Sequence, residues 1–156
     1  MKIRHRPRRS VLYMPGANAR ALEKSRTLPA DALIFDLEDA VAPDAKGKAR
    51  EQILAAVKQG GYGKREVLIR TNGLNTPWGY DDLVAVAKAG SDAVLLPKVE
   101  SAETVRQAEA VLEAHGAPSS MSIWCMMETP RGTVSYTHLR AHETAMNISY
   151  AVFCLK

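Results

Sequence analysis

Two cysteines in 156 residues, Cys125 and Cys154, are too few for a disulfide framework, so the fold must rest on a packed core. Cys125 stands in an apolar run and reads as a small core residue. No apolar stretch approaches the length of a membrane span, and none follows the basic start MKIRHRPRRS as a signal peptide requires. A cytoplasmic protein without membrane contact is expected. Aromatics are sparse at 6%, and no stacking platform or recognition motif accompanies the basic residues, which argues against nucleic acid as a partner. No Gly-x-Gly-x-x-Gly follows the first apolar run, which disfavours a dinucleotide-binding sheet. Acid is missing from residues 1–9, which hold Lys2, Arg4, Arg6, Arg8 and Arg9. That arm and the small positive balance after Val134 exceed the whole formal charge of +4, leaving −2 for residues 10–133. The body is therefore mildly acidic. A nucleic-acid-binding module using the basic arm is the non-enzymatic alternative; a solvated terminus, or an arm near an anionic substrate, is plainer.

What is present is an ordinary globular composition, 46% hydrophobic and 24% charged, at the length of one domain. Short apolar runs at Ser10–Met14, Asp31–Asp39, Glu66–Asn72, Ala93–Val99 and Ser122–Thr129 read as strands. Between them, ARALEKSR, the stretch from Pro43 to Val57, the one around Tyr80–Lys88, and Ala102–Ala114 read as helices. Near-continuous apolar strands alternating with amphipathic helices predict a parallel sheet, either doubly wound or closed as a (β/α)8 barrel. The strand ends favour the barrel. Asp36, Glu38 and Asp39 end the second strand, Arg70 and Asn72 the third, Lys98 and Glu100 the fourth, and Glu128 the fifth. One such carboxylate is as readily a helix cap or surface ion pair. Four consecutive strands ending this way converge on one mouth in a barrel.

Hard oxygen ligands at one mouth suit Mg²⁺, which takes one or two carboxylates and leaves other positions to water and substrate. A neighbouring arginine offers a two-point clamp for a substrate carboxylate. Together they suit a 2-oxo acid, its carbonyl polarised by the cation and its acid group fixed by the guanidinium. The turn Tyr13-Met14-Pro15-Gly16, with Asn18, Arg20 and Lys24 nearby, opens a helix start that could hold phosphate groups.

The blocks RSVLYMPGANARALEKS, FDLEDAVAPDAKGKAR, IRTNGLNTPWGYDDL, LLPKVES and METPRG resemble the citrate lyase β-subunit-like and malyl-CoA lyase family of the HpcH/HpaI aldolase superfamily. The resemblance runs from Arg9 to Gly132. It implies a (β/α)8 TIM barrel, truncated here after about five strands, and Mg²⁺-dependent carbon–carbon lyase chemistry on a 3-hydroxyacyl-CoA such as citryl-CoA or malyl-CoA. By the same resemblance Glu128 is a Mg²⁺ ligand, and Arg70 binds the acid or enolate oxygens of the substrate. Glu38 and Asp39 surround the metal and its waters. Pro15, Gly16, Asn18 and Lys24 lie near the coenzyme A phosphates, and Lys98 serves in ion pairing and positioning rather than as a Schiff base. The implied partners are an acyl-CoA and a small 2-oxo acid, and the whole protein is expected to be a homo-oligomer, trimeric or hexameric. An aldolase on free 2-oxo acids and a malyl-CoA thioesterase are the enzymatic alternatives.

Beyond Gly132 the family pattern stops. A complete member continues through three more βα units, with an aspartate as second metal ligand and a further carboxylate reaching a neighbouring subunit. Instead the chain reads VSYTHLRAHET, and later ISYAVFCLK, which back-translate into the transposase end and adaptor of short-read sequencing libraries. Residues 1–133 are thus expected to be the N-terminal part of the barrel domain and 134–156 a non-native tail. His138 and His142, four apart as on one face of a zinc-binding helix, fall in that tail and lack a third ligand. With three strands missing, the first and fifth strands are expected to be open edges, and the fragment itself poorly soluble and inactive.

Overall fold

A computed structural model of the chain describes residues 8–134 and the backbone of residues 148–152. The expected alternation holds from end to end. Strand β1 (Val11–Pro15) leads to helix α1 (Ala19–Lys24), and β2 (Ala32–Asp36) to a short 3-10 turn, Pro43–Ala45, and α2 (Lys46–Gln59). Then come β3 (Glu66–Arg70), α3 (Gly79–Ala87), β4 (Ala93–Leu96), α4 (Ala102–Ala114) and β5 (Ser122–Met126). Boundaries follow local chemistry. Asn18 caps α1 by accepting from the Ala21 N–H, and Ser101 caps α4 by accepting from Thr104. Pro43 opens the turn before α2, where its missing N–H is no loss.

All neighbouring strands pair in parallel, and the spatial order is the chain order, β1-β2-β3-β4-β5. A doubly wound sheet reverses direction once; this one never does, which is the progression of a (β/α)8 barrel. The side chains separate into two apolar layers accordingly. Ala32, Ile34, Leu68, Leu95, Trp124 and Met126 form the concave layer, with Tyr13 packed on it. Leu33, Phe35, Ile69, Val94, Ile123 and Cys125, one residue out of phase, pack outward against the helices through Ile53, Leu83, Val105 and Leu112. Burial pushes the Cys125 thiol up to about 12, the behaviour of an inert core cysteine.

The fifth strand is not an open edge, contrary to the expectation from the sequence. The backbone of Ile148–Val152 forms a further parallel strand, β6, against it, with an irregular register between Ile123 and Cys125. A partner on that side satisfies the ladder groups that would otherwise be exposed. His138 and His142 lie outside the described residues.

The end of the basic arm lies away from the mouth, and of its two arginines Arg8 is tied down while Arg9 stays exposed. Arg8 makes a two-point ion pair with the buried Glu66 at the start of β3, at 2.6 and 3.0 Å, and stacks over the Trp124 ring. Arg9 pairs with Asp31 just before β2. Both contacts sit at the N-terminal ends of the strands, opposite the polar cluster. Among the described residues no helix is long and apolar enough to cross a membrane.

Candidate active site

The C-terminal ends of β2 and β3 are joined by one buried ion pair. Arg70 donates from Nε and Nη2 to the two oxygens of Asp36, at 2.6 and 2.5 Å. The same carboxylate accepts the backbone N–H groups of Glu38 and Ala40 at 2.8 and 3.1 Å. Asp36 is therefore filled, and it both shapes the turn after β2 and holds the guanidinium. The two-point clamp expected of Arg70 is already taken by the protein. What remains is Nη1, which lies 3.0 Å from Glu38 Oε2 and 3.7 Å from Asp39 Oδ2, with the Tyr13 ring beneath the guanidinium. Burial alone works against the Arg70 charge, but the Asp36 hydrogen bonds and the surrounding carboxylates outweigh it and raise its pKa.

Around Nη1 gather the other strand-end residues. The Lys98 ammonium donates to Glu38 Oε1 at 2.7 Å and lies 3.7 Å from Asp39 Oδ1, while the Lys98 backbone N–H donates to Glu128 Oε1 at 2.9 Å. Glu38 is buried, and its Oε2, close to Arg70 but out of line, has no hydrogen-bond donor among the described residues. Burial pushes the Glu38 carboxyl above its usual range, against the opposing pull of Lys98 and Arg70. The hydrogen bond to Glu38 raises Lys98 in turn. Asp39 is mostly exposed and faces the same cluster. Glu100 is half-buried just beyond β4.

Behind this cluster stands a second set of polar groups, of which only Asn72 had been named from the sequence. Lys46, buried in the first turn of α2, donates to the carbonyls of Leu37 and Glu38 at 2.7 and 2.6 Å, with the Trp78 ring against its ammonium. Burial lowers its pKa, against the raising influence of Asp36, Asp82, Glu38 and Asp39. Asn72 Nδ2 donates to the Leu37 carbonyl and to Asp82, and Arg50 Nε closes the set on Asp82 at 2.7 Å. On a helix, Lys46 and Arg50 are a turn apart and share a face, the one spacing that could have flagged them. Asp82 in the first turn of α3 reads simply as a helix-dipole residue.

The turn after β1 joins the same end of the sheet. The Gly16 N–H donates to the Asp36 carbonyl, and a Cβ at Gly16 would stand 2.7 Å from that oxygen and 2.6 Å from Ile53 Cδ1. Only glycine fits. Pro15, Gly16 and Asn18 are thus brought to the mouth, whereas exposed Lys24 ends α1, about 9 Å of helix away at 1.5 Å per residue. After β5, Thr129 Oγ1 accepts from Gly132, whose Cβ would stand 2.4 Å from the Val99 carbonyl oxygen. That close approach explains the spacing of Glu128-Thr129-x-x-Gly132.

Among the described residues no three His, Cys, Asp or Glu side chains are gathered to hold a metal ion. Mg²⁺ does not require three. Glu128 offers a hard oxygen of the kind it takes, the donorless Oε2 of Glu38 can accept from a water nearby, and Asp36 is already filled. The donor set fits the ion.

Residues 9–149 match the HpcH/HpaI aldolase/citrate lyase family. The chain belongs to that family. A (3S)-malyl-CoA thioesterase of Cereibacter sphaeroides is 45% identical over 136 residues, spanning 87% of this chain and 46% of that protein. The citrate lyase subunit beta of Escherichia coli is 38% identical over 152 residues, spanning 94% and 50%. Among solved structures, protein CitE of Mycobacterium tuberculosis in complex with magnesium, acetoacetate and coenzyme A is 26% identical with a TM-score of 0.68, over 91% of this chain and 49% of that one. The chain spans about half the length of the curated relatives it matches. The solved relatives are TIM-barrel-like, this chain carries part of such a barrel, and magnesium and coenzyme A occur in the CitE complex.

Proposed function

We propose that the whole protein is a Mg²⁺-dependent carbon–carbon lyase acting on a 3-hydroxyacyl-CoA such as citryl-CoA or malyl-CoA. The observation that carries this reading is the convergence of Arg70 Nη1 and Lys98 on Glu38 and Asp39 at the mouth where Glu128 also ends its strand. Mg²⁺, held by Glu128 and a ligand from outside this sequence, would supply Lewis-acid polarisation of the 2-oxo acid half. Arg70 contributes a fixed positive charge to the acid or enolate oxygens through Nη1 alone. Glu38 Oε2, buried and without a donor, is an atom at which a proton can be held, and Asp39 faces it from the solvent side. Pro15, Gly16 and Asn18 line the approach for the coenzyme A phosphates; the Lys24 contact depends on the phosphates reaching the far end of α1.

In the cleavage direction the C3 hydroxyl loses its proton, the C2–C3 bond breaks, and its electron pair becomes the thioester enolate, which takes a proton at carbon. The products are a 2-oxo acid and a shorter acyl-CoA. Incubating the whole protein with malyl-CoA or citryl-CoA and Mg²⁺ should release a 2-oxo acid, abolished by Arg70→Met. Free thiol with no 2-oxo acid would replace the lyase by a malyl-CoA thioesterase, the reading favoured by the 45% identical relative. Cleavage of free 4-hydroxy-2-oxo acids with thioesters untouched would replace it by an aldolase.

Residues 134–156 are, in the same proposal, a substitute for native sequence, supported by the adaptor-like back-translation of both their halves. Sequencing the source DNA across the Gly132 codon should reveal a frame continuing into a strand that ends in aspartate. Genomic DNA encoding VSYTHLRAHET would sink it.

A further inference from the structure

Lys98 is the one non-glycine residue at positive φ among the described residues, at 49°. Its side chain is 56% exposed, so burial does not hold it there. The chain around it shows what the conformation accomplishes. Leu96 is the last β4 residue paired with β5, opposite Cys125; Pro97 has no N–H to give, and Val99 rejoins by donating to the Met126 carbonyl at 3.2 Å. Between them the left-handed residue turns its own N–H out of the ladder and onto Glu128 Oε1 at 2.9 Å. Its side chain meanwhile crosses the end of β3 to reach Glu38 Oε1 at 2.7 Å. Glycine would take this backbone without strain. What lysine adds is the ammonium.

We propose that Lys98 is a positioning residue that spaces two carboxylates from different strands, its N–H fixing Glu128 and its ammonium fixing Glu38. The inference rests on the reading of those two carboxylates as parts of one site. Arg70 also approaches Glu38, yet it meets Oε2 out of line, so the hydrogen bond that orients the carboxylate is the one from Lys98. A single residue thus couples the ends of β2, β4 and β5, and a shift in its backbone would move both carboxylates together.

Nuclear magnetic resonance of the isotope-labelled whole protein, free of metal and thioester, tests this, so its failure is distinguishable from failure of the lyase reading. The unaltered chain should show a protected Lys98 amide and a single side-chain rotamer for Glu38. Glu128→Ala should speed exchange of the Lys98 amide about tenfold or more, the loss of one hydrogen bond of ordinary strength. Lys98→Met should average the Glu38 rotamer while sparing the residue-98 amide, Lys98→Arg should restore it, and Lys98→Gly should keep the amide protection and lose the rotamer. An unprotected Lys98 amide in the unaltered chain overturns the backbone half of the proposal with no variant needed. A single Glu38 rotamer persisting in Lys98→Met overturns the side-chain half.

Discussion

Replacing Arg70 by methionine should lower the unfolding free energy by about 3–5 kcal/mol, the usual consequence of removing one partner from a buried ion pair. Asp36 and Arg70 are 1% and 7% exposed, so neither charge has water to fall back on. The methionine would leave Asp36 with two backbone donors and no hydrogen-bonded counter-charge, and Glu38 with Lys98 as its one hydrogen-bonded cation. Arg70→Lys should recover part of the loss and no more, because an ammonium cannot reproduce the paired bonds from Nε and Nη2. The double variant Asp36→Asn/Arg70→Met should be less damaged than Arg70→Met, since it withdraws both charges. The deficit should also depend on pH. Glu38 already has a folded pKa raised by burial, so its contribution to stability is present below its unfolded value, near pH 4.5, and is lost as pH rises through the folded one. Taking away Arg70, which lowers that pKa, extends the loss to higher pH. Urea unfolding at pH 4 and pH 7 checks both points. A deficit under about 1 kcal/mol at pH 7 would mean that the pair, though buried, contributes no more than a surface bridge.

The strand ends were legible because each apolar run is short and ends abruptly in charge, which periodicity alone detects. Glu38, Asp39, Arg70, Lys98 and Glu128 are all brought to the one mouth. Their partners were not legible. Sequence places Asp36 and Arg70 at successive strand ends but does not say that their register puts them side by side, as the β2–β3 pairing does. That pairing fills the guanidinium fork from within, so only one of its nitrogens is left toward the mouth. Lys24 shows the opposite limit: nearness along the chain suggested nearness to the turn at Gly16, and the intervening helix carries it away. The left-handed backbone of Lys98 has no sequence signature, since lysine is not a residue that favours it. Such a conformation costs about 1–2 kcal/mol. The arm residues Arg8 and Arg9 were read by their charge alone, whereas Glu66 and Asp31, far along the chain, decide where they go.

The second large effect is expected at Asp82, a residue with no expected role and no contact with the mouth. Its carboxylate is buried and accepts three bonds: the Asn72 N–H and Nδ2 on one oxygen, at 2.9 and 2.7 Å, and Arg50 Nε on the other. Asp82→Ala strands all three donors, and the loss should be about 3 kcal/mol, because unsatisfied buried groups are penalised individually. Asp82→Asn keeps the shape but must turn its NH₂ toward one of the donors, so it should lie between the two. The consequence reaches the site by a defined route. Asn72 and Lys46 share the Leu37 carbonyl, and Lys46 shares the Glu38 carbonyl with the Val41 N–H. Once Asn72 is released from Asp82, the turn from Leu37 to Ala40 rests on Lys46, Asp36 and its own Val41 N–H. Hydrogen exchange should therefore quicken first at Asn72, Glu38 and Ala40, ahead of the amides in the middle of β4 and β5. Uniformly faster exchange across every strand would indicate a global loss of stability without that route. Unchanged exchange at Glu38 and Ala40, with the full stability loss present, would show that the turn holds without Asn72 and that the Asp82 set serves only the packing of α2 against α3.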